Sequence, residues 1–344
     1  MTAETLDIKS PPEYCLELAQ SHEGSLGYVY SMLEALSIRS IRIVKFQLHL
    51  PEYESTHAER FRIPLSGQDT SRFEYWKRTG FTYEQWRQIK NKCDELDIEF
   101  LCTPLSPEAV DFLEDLDVRR YKIASGDLNN LQLIERVVST KKEIILSTGM
   151  SSYFEIEKAV ESIPTKNLTL LQCTSKYPTS LDKVGLNVMQ QFRRLFPEIR
   201  IGFSDHTGNP LTAMLAFALG ADFVEQHVVF SREQYGPDSK SSIELGEVNL
   251  VQNFLSVFAQ ISSSPVNKDS EASEMQDIRN LFGRGLSPKR NLAAGEVITE
   301  DVLTMKKPKG PLGWDDRYFL VGKKLNKNLP ATSHITFDDI QVGD

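Results

Sequence analysis

No run of this chain is apolar for the roughly 18 residues that a membrane-spanning helix requires. Residues 1–14 are polar and lack the apolar core of a secretory signal. Positive charge is scarce: 39 Lys and Arg stand against 48 Asp and Glu, a formal net charge of −9. Such a surface disfavours nucleic acid and anionic membrane as partners, although local lysines can still hold a small anion. Cysteine is rare too. Cys15, Cys93, Cys102 and Cys173 are scattered and form no C-x-x-C pair, and three of them lie in or beside apolar runs. They read as buried thiols in a reducing compartment. Together these absences predict a cytoplasmic protein.

What the chain does contain is an alternation. Of its 344 residues, 40% are hydrophobic and 25% charged, ordinary for a globular protein and enough for one large domain and a small one. Short β-rich runs at 14–19, 42–48, 98–103, 121–125, 143–148, 168–174, 200–206 and 223–228 alternate with helical stretches such as 83–96, 107–116, 128–138, 153–163, 184–196 and 211–219. Several of the β-rich runs are nearly continuous in apolar residues, the signature of strands covered on both faces. Eight strands alternating with helices predict an α/β fold of the (β/α)8 TIM-barrel type over residues 1–260. The insert 51–80, rich in charge and aromatics, is longer than ordinary connections and reads as a lid or substrate loop. Residues 261–282 begin with Ile-Ser-Ser-Ser-Pro, turn polar, and read as a linker. Residues 283–344 read as a compact, turn-rich second domain.

In a barrel, reactive side chains come from the C-terminal strand ends. Two of these ends carry His206 and His227, with an apolar helix between them. A lone buried histidine is more often an ordinary core residue. Two at matching strand ends, inside Ser204-Asp205-His206-Thr207 and before Gly236-Pro237-Asp238, point to a divalent-metal corner, since neutral imidazole ligates Mn, Zn, Fe or Co. Lys45 and Lys122 interrupt otherwise apolar strands. A lysine facing a barrel interior is either paired, here with Glu17 or Asp127, or it holds an anion. Thr103, Ser125, Ser175 and Ser204 at neighbouring strand ends supply hydroxyls for a phosphate or carboxylate. A metal beside an anion site either polarises a carbonyl or activates water, and composition leaves both open.

Val44-Lys45-Phe46-Gln47, Thr103-Pro104, Tyr121-Lys122-Ile123-Ala124-Ser125-Gly126, Leu146-Ser147-Thr148-Gly149-Met150, Gln172-Cys173-Thr174-Ser175-Lys176-Tyr177-Pro178, Gly202-Phe203-Ser204-Asp205-His206-Thr207, Glu225-Gln226-His227 and Gly236-Pro237-Asp238 stand in this order. The set resembles the N-acetylneuraminate (sialic acid) synthase family, which includes legionaminate, pseudaminate and spore-coat polysaccharide synthases. Residues 283–340 resemble its C-terminal antifreeze-like (SAF) domain. The resemblance implies condensation of phosphoenolpyruvate with an open-chain aldose, giving a 3-deoxy-2-keto sugar acid and phosphate. It implies a divalent metal on His206 and His227, with Mn2+ expected before Mg2+ or Co2+. It implies phosphoenolpyruvate on Lys45, Thr103, Lys122, Ser125, Ser175 and Ser204. Glu17, Asp127 and Asp238 would handle protons, Gln47, Tyr177 and Lys307 would meet the sugar, and the assembly would be a domain-swapped homodimer.

Departures cluster on the sugar side. Ser21 stands where an asparagine is usual, Asp127 where sialate synthases carry glutamate, and Ser175 where some members have asparagine. Lys306-Lys307-Pro308-Lys309-Gly310 replaces Lys-Arg-Pro-Gly, and lysine cannot reproduce a bidentate guanidinium contact. The acceptor is therefore expected to differ from plain N-acetylmannosamine. Two other readings stay open: a catalytically silent homologue that binds a sugar or partner, and a barrel lyase using Lys45 or Lys122 as a Schiff base.

Overall fold

Runs of Val, Ile, Leu and Phe too continuous for a half-exposed sheet become strands buried on both sides. In a computed structural model, which describes residues 12–63 and 68–341, these are β1 (Glu13–Glu17), β2 (Ile43–Leu48), β3 (Glu99–Pro104), β4 (Arg120–Ile123), β5 (Glu143–Ser147), β6 (Leu168–Cys173), β7 (Arg200–Asp205) and β8 (Phe223–Val229). Each pairs in parallel with the next, and β8 returns to β1 with Glu17 opposite His227, closing the barrel. A two-residue strand, β9 (Ile243–Glu244), adds to the far end of β8. The fold is a (β/α)8 barrel. Residues 1–11, which include most of the polar N-terminus, lie outside the described residues.

The helices begin where their sequences supply caps. Ser106 accepts from the Ala109 amide with Pro107 in the first turn, while Thr82 with Gln85 and Ser152 with Glu155 close capping boxes. One helix starts later than its apolar spacing predicts, at Leu131 instead of 128. Residues Ser125–Asp127 form a 3-10 turn, and the Asn130 side chain accepts from the Leu133 amide at 3.3 Å. The turn leaves Ser125 and Asp127 among the residues that line the cavity described below.

Strand alternation sorts the barrel interior into rings. Cys15, Ile43, Leu101, Ile145, Leu171 and Phe223 form a separate apolar cluster inside the barrel. Two residues further along the same strands, hence on the same face, come Glu17, Lys45, Thr103, Ser147, Cys173 and Glu225. At about 3.3 Å per residue, this polar ring stands roughly 6.6 Å nearer the C-terminal mouth. On the other side of the apolar ring the buried Arg120 closes the barrel floor. Its guanidinium donates to Glu99 at 2.6 and 3.1 Å and to Glu13 at 2.7 and 3.0 Å, and Arg200 adds a 2.8 Å bond to Glu13.

The insert 51–80 contains helices Pro51–Glu54 and Arg72–Thr79. The chain divides into two compact units between Ser264 and Pro265, just after the last barrel helix, Leu245–Ser262. The second unit opens with helices Lys268–Glu274 and Gln276–Phe282, over the stretch that composition marks as a linker. It continues with the antiparallel strands β10 (Gly285–Pro288) and β11 (Leu303–Lys306). Its own core holds Leu286, Ile298, Leu303, Leu320, Leu325 and Ile335. Among the described residues no helix is long and apolar enough to cross a membrane.

Candidate active site

A cavity of about 490 Å³ opens at the C-terminal ends of the strands. Twelve of the fourteen site residues read from the sequence line it, the exceptions being Glu17 and Lys307. Glu17 is fully buried: one oxygen accepts from the Ala19 amide at 2.9 Å and the other pairs with Lys45. It acts on the cavity only through that lysine. Lys307 belongs to the second unit, where its exposed ammonium sits 5.0 Å over the Phe282 ring.

The polar ring gathers cations round one carboxylate. Lys45 donates to Thr103 Oγ1 at 3.3 Å and stands 3.5 Å from Glu225 Oε1. Lys122 donates to Ser147 Oγ at 2.7 Å and to the Ile123 carbonyl at 3.1 Å, with Glu225 Oε2 at 4.0 Å. Ser204 donates to Glu225 Oε1 at 3.3 Å. Burial alone would raise the Glu225 carboxyl, yet Lys45 and Lys122 hold it down at about 2. Its Oε2 is buried and takes no hydrogen bond. Lys45 is thus paired with Glu17, Lys122 has Glu225 as its nearest carboxylate instead of Glu17 or Asp127, and both lysines line the cavity.

Gly149 lies against the Ser125 and Ser175 hydroxyls. Its amide donates to Ser125 Oγ at 2.9 Å. A Cβ at this position would run into Ser175 Oγ and stand 2.9 Å from Ser125 Oγ. Only glycine leaves the two hydroxyls room to face the same space.

The two imidazoles meet beside this ring, centroids 5.3 Å apart. The Thr174 carbonyl can only accept, so the 2.9 Å contact places a proton on His206 Nδ1, and in the neutral ring Nε2 then carries the lone pair. His227 Nδ1 is buried with no partner. Burial and the neighbouring His206 hold His227 well below the ordinary histidine range, so it is neutral. At His206 burial acts the same way but is outweighed by Cys173, whose thiol lies 3.7 Å from Nδ1, and the pKa is raised. The pair suits a divalent cation in chemistry and spacing, yet supplies only two protein donors. Among the described residues no group of three or more His, Cys, Asp and Glu is disposed to hold an ion. A cation here would take its remaining ligands from water and substrate.

Beyond the histidines, the Tyr177 ring lies 4.0 Å from His206, and the Arg62 guanidinium sits 3.9 Å over Tyr177. Arg62 also donates to Asp238 Oδ1 at 2.7 Å. Asp127 accepts from Asn130 at 3.1 Å, and burial, with the Glu54 charge adding, raises its carboxyl above the usual range. His22, five residues past the end of β1, does not line the cavity. The Gly24 amide donates to its Nδ1 at 3.0 Å, and burial lowers its pKa to about 3.

Sequence reasoning missed Glu225, His49, Glu54, Trp76 and Arg62. The signal for Glu225 was present, since it shares the inward face of β8 with His227. The other four lie just past β2, at His49, or in the insert, where no periodicity says which residues turn inward.

Comparison with known proteins gives the arrangement a setting. The model of the NeuB family matches residues 33–264. The chain is similar to the N,N'-diacetyllegionaminic acid synthase of Campylobacter jejuni, 29% identical over 320 residues, with 91% of this chain and 95% of that one covered. It is also similar to the human N-acetylneuraminate-9-phosphate synthase, 29% identical over 320 residues, covering 90% and 87%. Among solved structures, the N-acetylneuraminic acid synthetase of Leptospira borgpetersenii, in complex with citrate, superposes with a TM-score of 0.69 at 25% identity over 79% of this chain and 93% of that one.

Proposed function

The chain belongs to the NeuB family, and from that premise we propose that it is a sugar-acid synthase joining phosphoenolpyruvate to an open-chain aldose. Carbon 3 of phosphoenolpyruvate attacks the aldehyde carbon, whose oxygen takes up a proton. Water adds at carbon 2 and phosphate leaves, giving a 3-deoxy-2-keto sugar acid. The observation that carries this reading is the pair of buried ammoniums, Lys45 and Lys122, facing the same 490 Å³ cavity as the His206–His227 pair.

The lysines, with the hydroxyls of Thr103, Ser125, Ser175 and Ser204, would neutralise and orient the carboxylate and phosphate. Glu17, paired with Lys45, holds that ammonium in place. Asp127, whose carboxyl is raised by burial, suits a proton-carrying role at the acceptor. Asp238, anchored by Arg62, would hold the sugar with Gln47 and Tyr177. A divalent cation on His206 and His227, Mn2+ by preference, would polarise the aldehyde carbonyl when bound. Residues 283–344 are read as the antifreeze-like domain, and the working form as a cytoplasmic homodimer.

The test is the mass of the product formed from phosphoenolpyruvate, Mn2+ and a mixed pool of hexosamines and neutral aldoses. A 2-keto acid one pyruvate unit heavier than its aldose, released with one phosphate, is expected. Burial also pulls the Lys45 ammonium below its ordinary range, as a Schiff-base lysine requires. Borohydride trapping of substrate on Lys45 or Lys122, without phosphate release, would replace the synthase with a lyase.

A further inference from the structure

One wall of the cavity is assembled by neither the anion ring nor the histidine pair. At its centre is Glu54, the last residue of helix Pro51–Glu54, with a side chain only 7% exposed. Its Oε1 accepts from His49 Nδ1 at 2.5 Å. Glu54 lines the cavity, and its Oε2 is buried with no hydrogen-bond partner among the described residues. A buried carboxylate oxygen without a donor is costly, and a hydrogen bond from a bound molecule removes that cost.

The support beneath Glu54 is rigid. The His49 ring stacks on Trp76 with centroids 3.7 Å apart and planes 7° from parallel. Trp76 in turn donates from Nε1 to Glu59 Oε2 at 3.2 Å, and Arg72 lies 4.8 Å over its ring. Such a chain fixes the free oxygen before any ligand arrives.

The charge of this wall limits what it accepts. Setting His49 aside, Arg62 and Arg72 face Glu54, Glu59, Asp127 and Asp238, two cations against four carboxylates. Both arginines are already spent, Arg62 on Asp238 and Arg72 on Glu59. A phosphate here would meet uncompensated carboxylates, whereas a hydroxyl or amide N–H would meet a waiting acceptor.

We propose that Glu54, held by His49 on Trp76, is a specificity residue that takes a hydrogen bond from an O–H or N–H of the acceptor, and that its wall selects an unphosphorylated sugar over a sugar phosphate. This rests on the synthase reading above and goes beyond it in naming the class of acceptor and the atom that reads it.

The experiment measures phosphate release by the full chain with phosphoenolpyruvate and Mn2+, using N-acetylmannosamine, related free hexosamines and their 6-phosphates. Wild type should favour the best free sugar over its 6-phosphate by at least tenfold in kcat/KM. Glu54→Gln keeps the shape but removes the charge and one acceptor site. It should raise the acceptor KM at least tenfold, shrink the preference over the phosphate, and leave the phosphoenolpyruvate KM within about twofold. The thermal shift given by phosphoenolpyruvate alone should match wild type, showing that the variant is folded. An unchanged acceptor KM in Glu54→Gln, or a wild-type preference for the 6-phosphate, overturns the specificity role while leaving the synthase standing. No phosphate release by wild type with any sugar overturns both.

Discussion

The two ends of the barrel lumen hold the same kinds of residue to opposite effect. At the floor, Arg120 gives four hydrogen bonds to Glu13 and Glu99 and is only 1% exposed. A single nitrogen nearby, Arg200 Nε, is left without a partner. At the mouth, Lys45 and Lys122 share Glu225 at 3.5 and 4.0 Å, and Glu225 Oε2, His227 Nδ1 and Glu54 Oε2 all lack partners. The apolar ring of Cys15, Ile43, Leu101, Ile145, Leu171 and Phe223 separates the two. A satisfied ionic cluster closes a barrel, and an unsatisfied one awaits a ligand.

The sharpest break in that comparison would come at the histidines. His206→Ala or His227→Ala should cut phosphate release at least about 1,000-fold with a melting temperature near wild type, and a chelator should do the same to wild type. Activity that survives the chelator would remove the cation from the mouth.

Next is a swap of effects between the ends. Arg120→Met takes four hydrogen bonds from two part-buried carboxylates, leaving Glu13 only Arg200, and should cost about 1–3 kcal/mol of stability in urea titration, with the phosphoenolpyruvate KM unchanged. Lys122→Met should do the reverse, raising that KM about tenfold or more with a smaller loss of stability. Were both variants to change both quantities alike, floor and mouth would not be separate devices.

The smallest effect is in pH. Burial alone would raise the Glu13 carboxyl, but the Arg120 and Arg200 guanidiniums outweigh it and hold it below the usual 4.5. A carboxylate depressed in the folded state stabilises above its unfolded value, and that contribution is lost as pH falls through the depressed one. The wild-type Tm should therefore drop below about pH 4.5, and Arg120→Met, lacking the main partner, should show a shallower drop in circular-dichroism melts.

The barrel and half of its site were legible before folding because they depend on short-range order. Apolar runs of strand length, separated by capped helices, define eight strands, and the period of two puts Lys45, Thr103 and His227 on inward faces. Lys122 was conspicuous because a cation interrupted an apolar strand. Glu225 carried the same signal two residues before His227, but whether a buried carboxylate braces a lysine or serves a substrate depends on what lies across the lumen.

The sequence by itself therefore determined the strands, their order and which side chains face inward, since each follows from neighbours a few residues apart. Only the tertiary structure decided the partnerships. Glu17 lies beside Lys45 because the β1–β2 register sets them opposite each other, Glu225 spans two lysines because β8 returns to β1, and Glu54 is brought to the cavity by a stacked His49–Trp76 pair 27 positions apart in sequence. These contacts join residues far apart along the chain, and their geometry exists only once the barrel has closed and the insert has packed upon it.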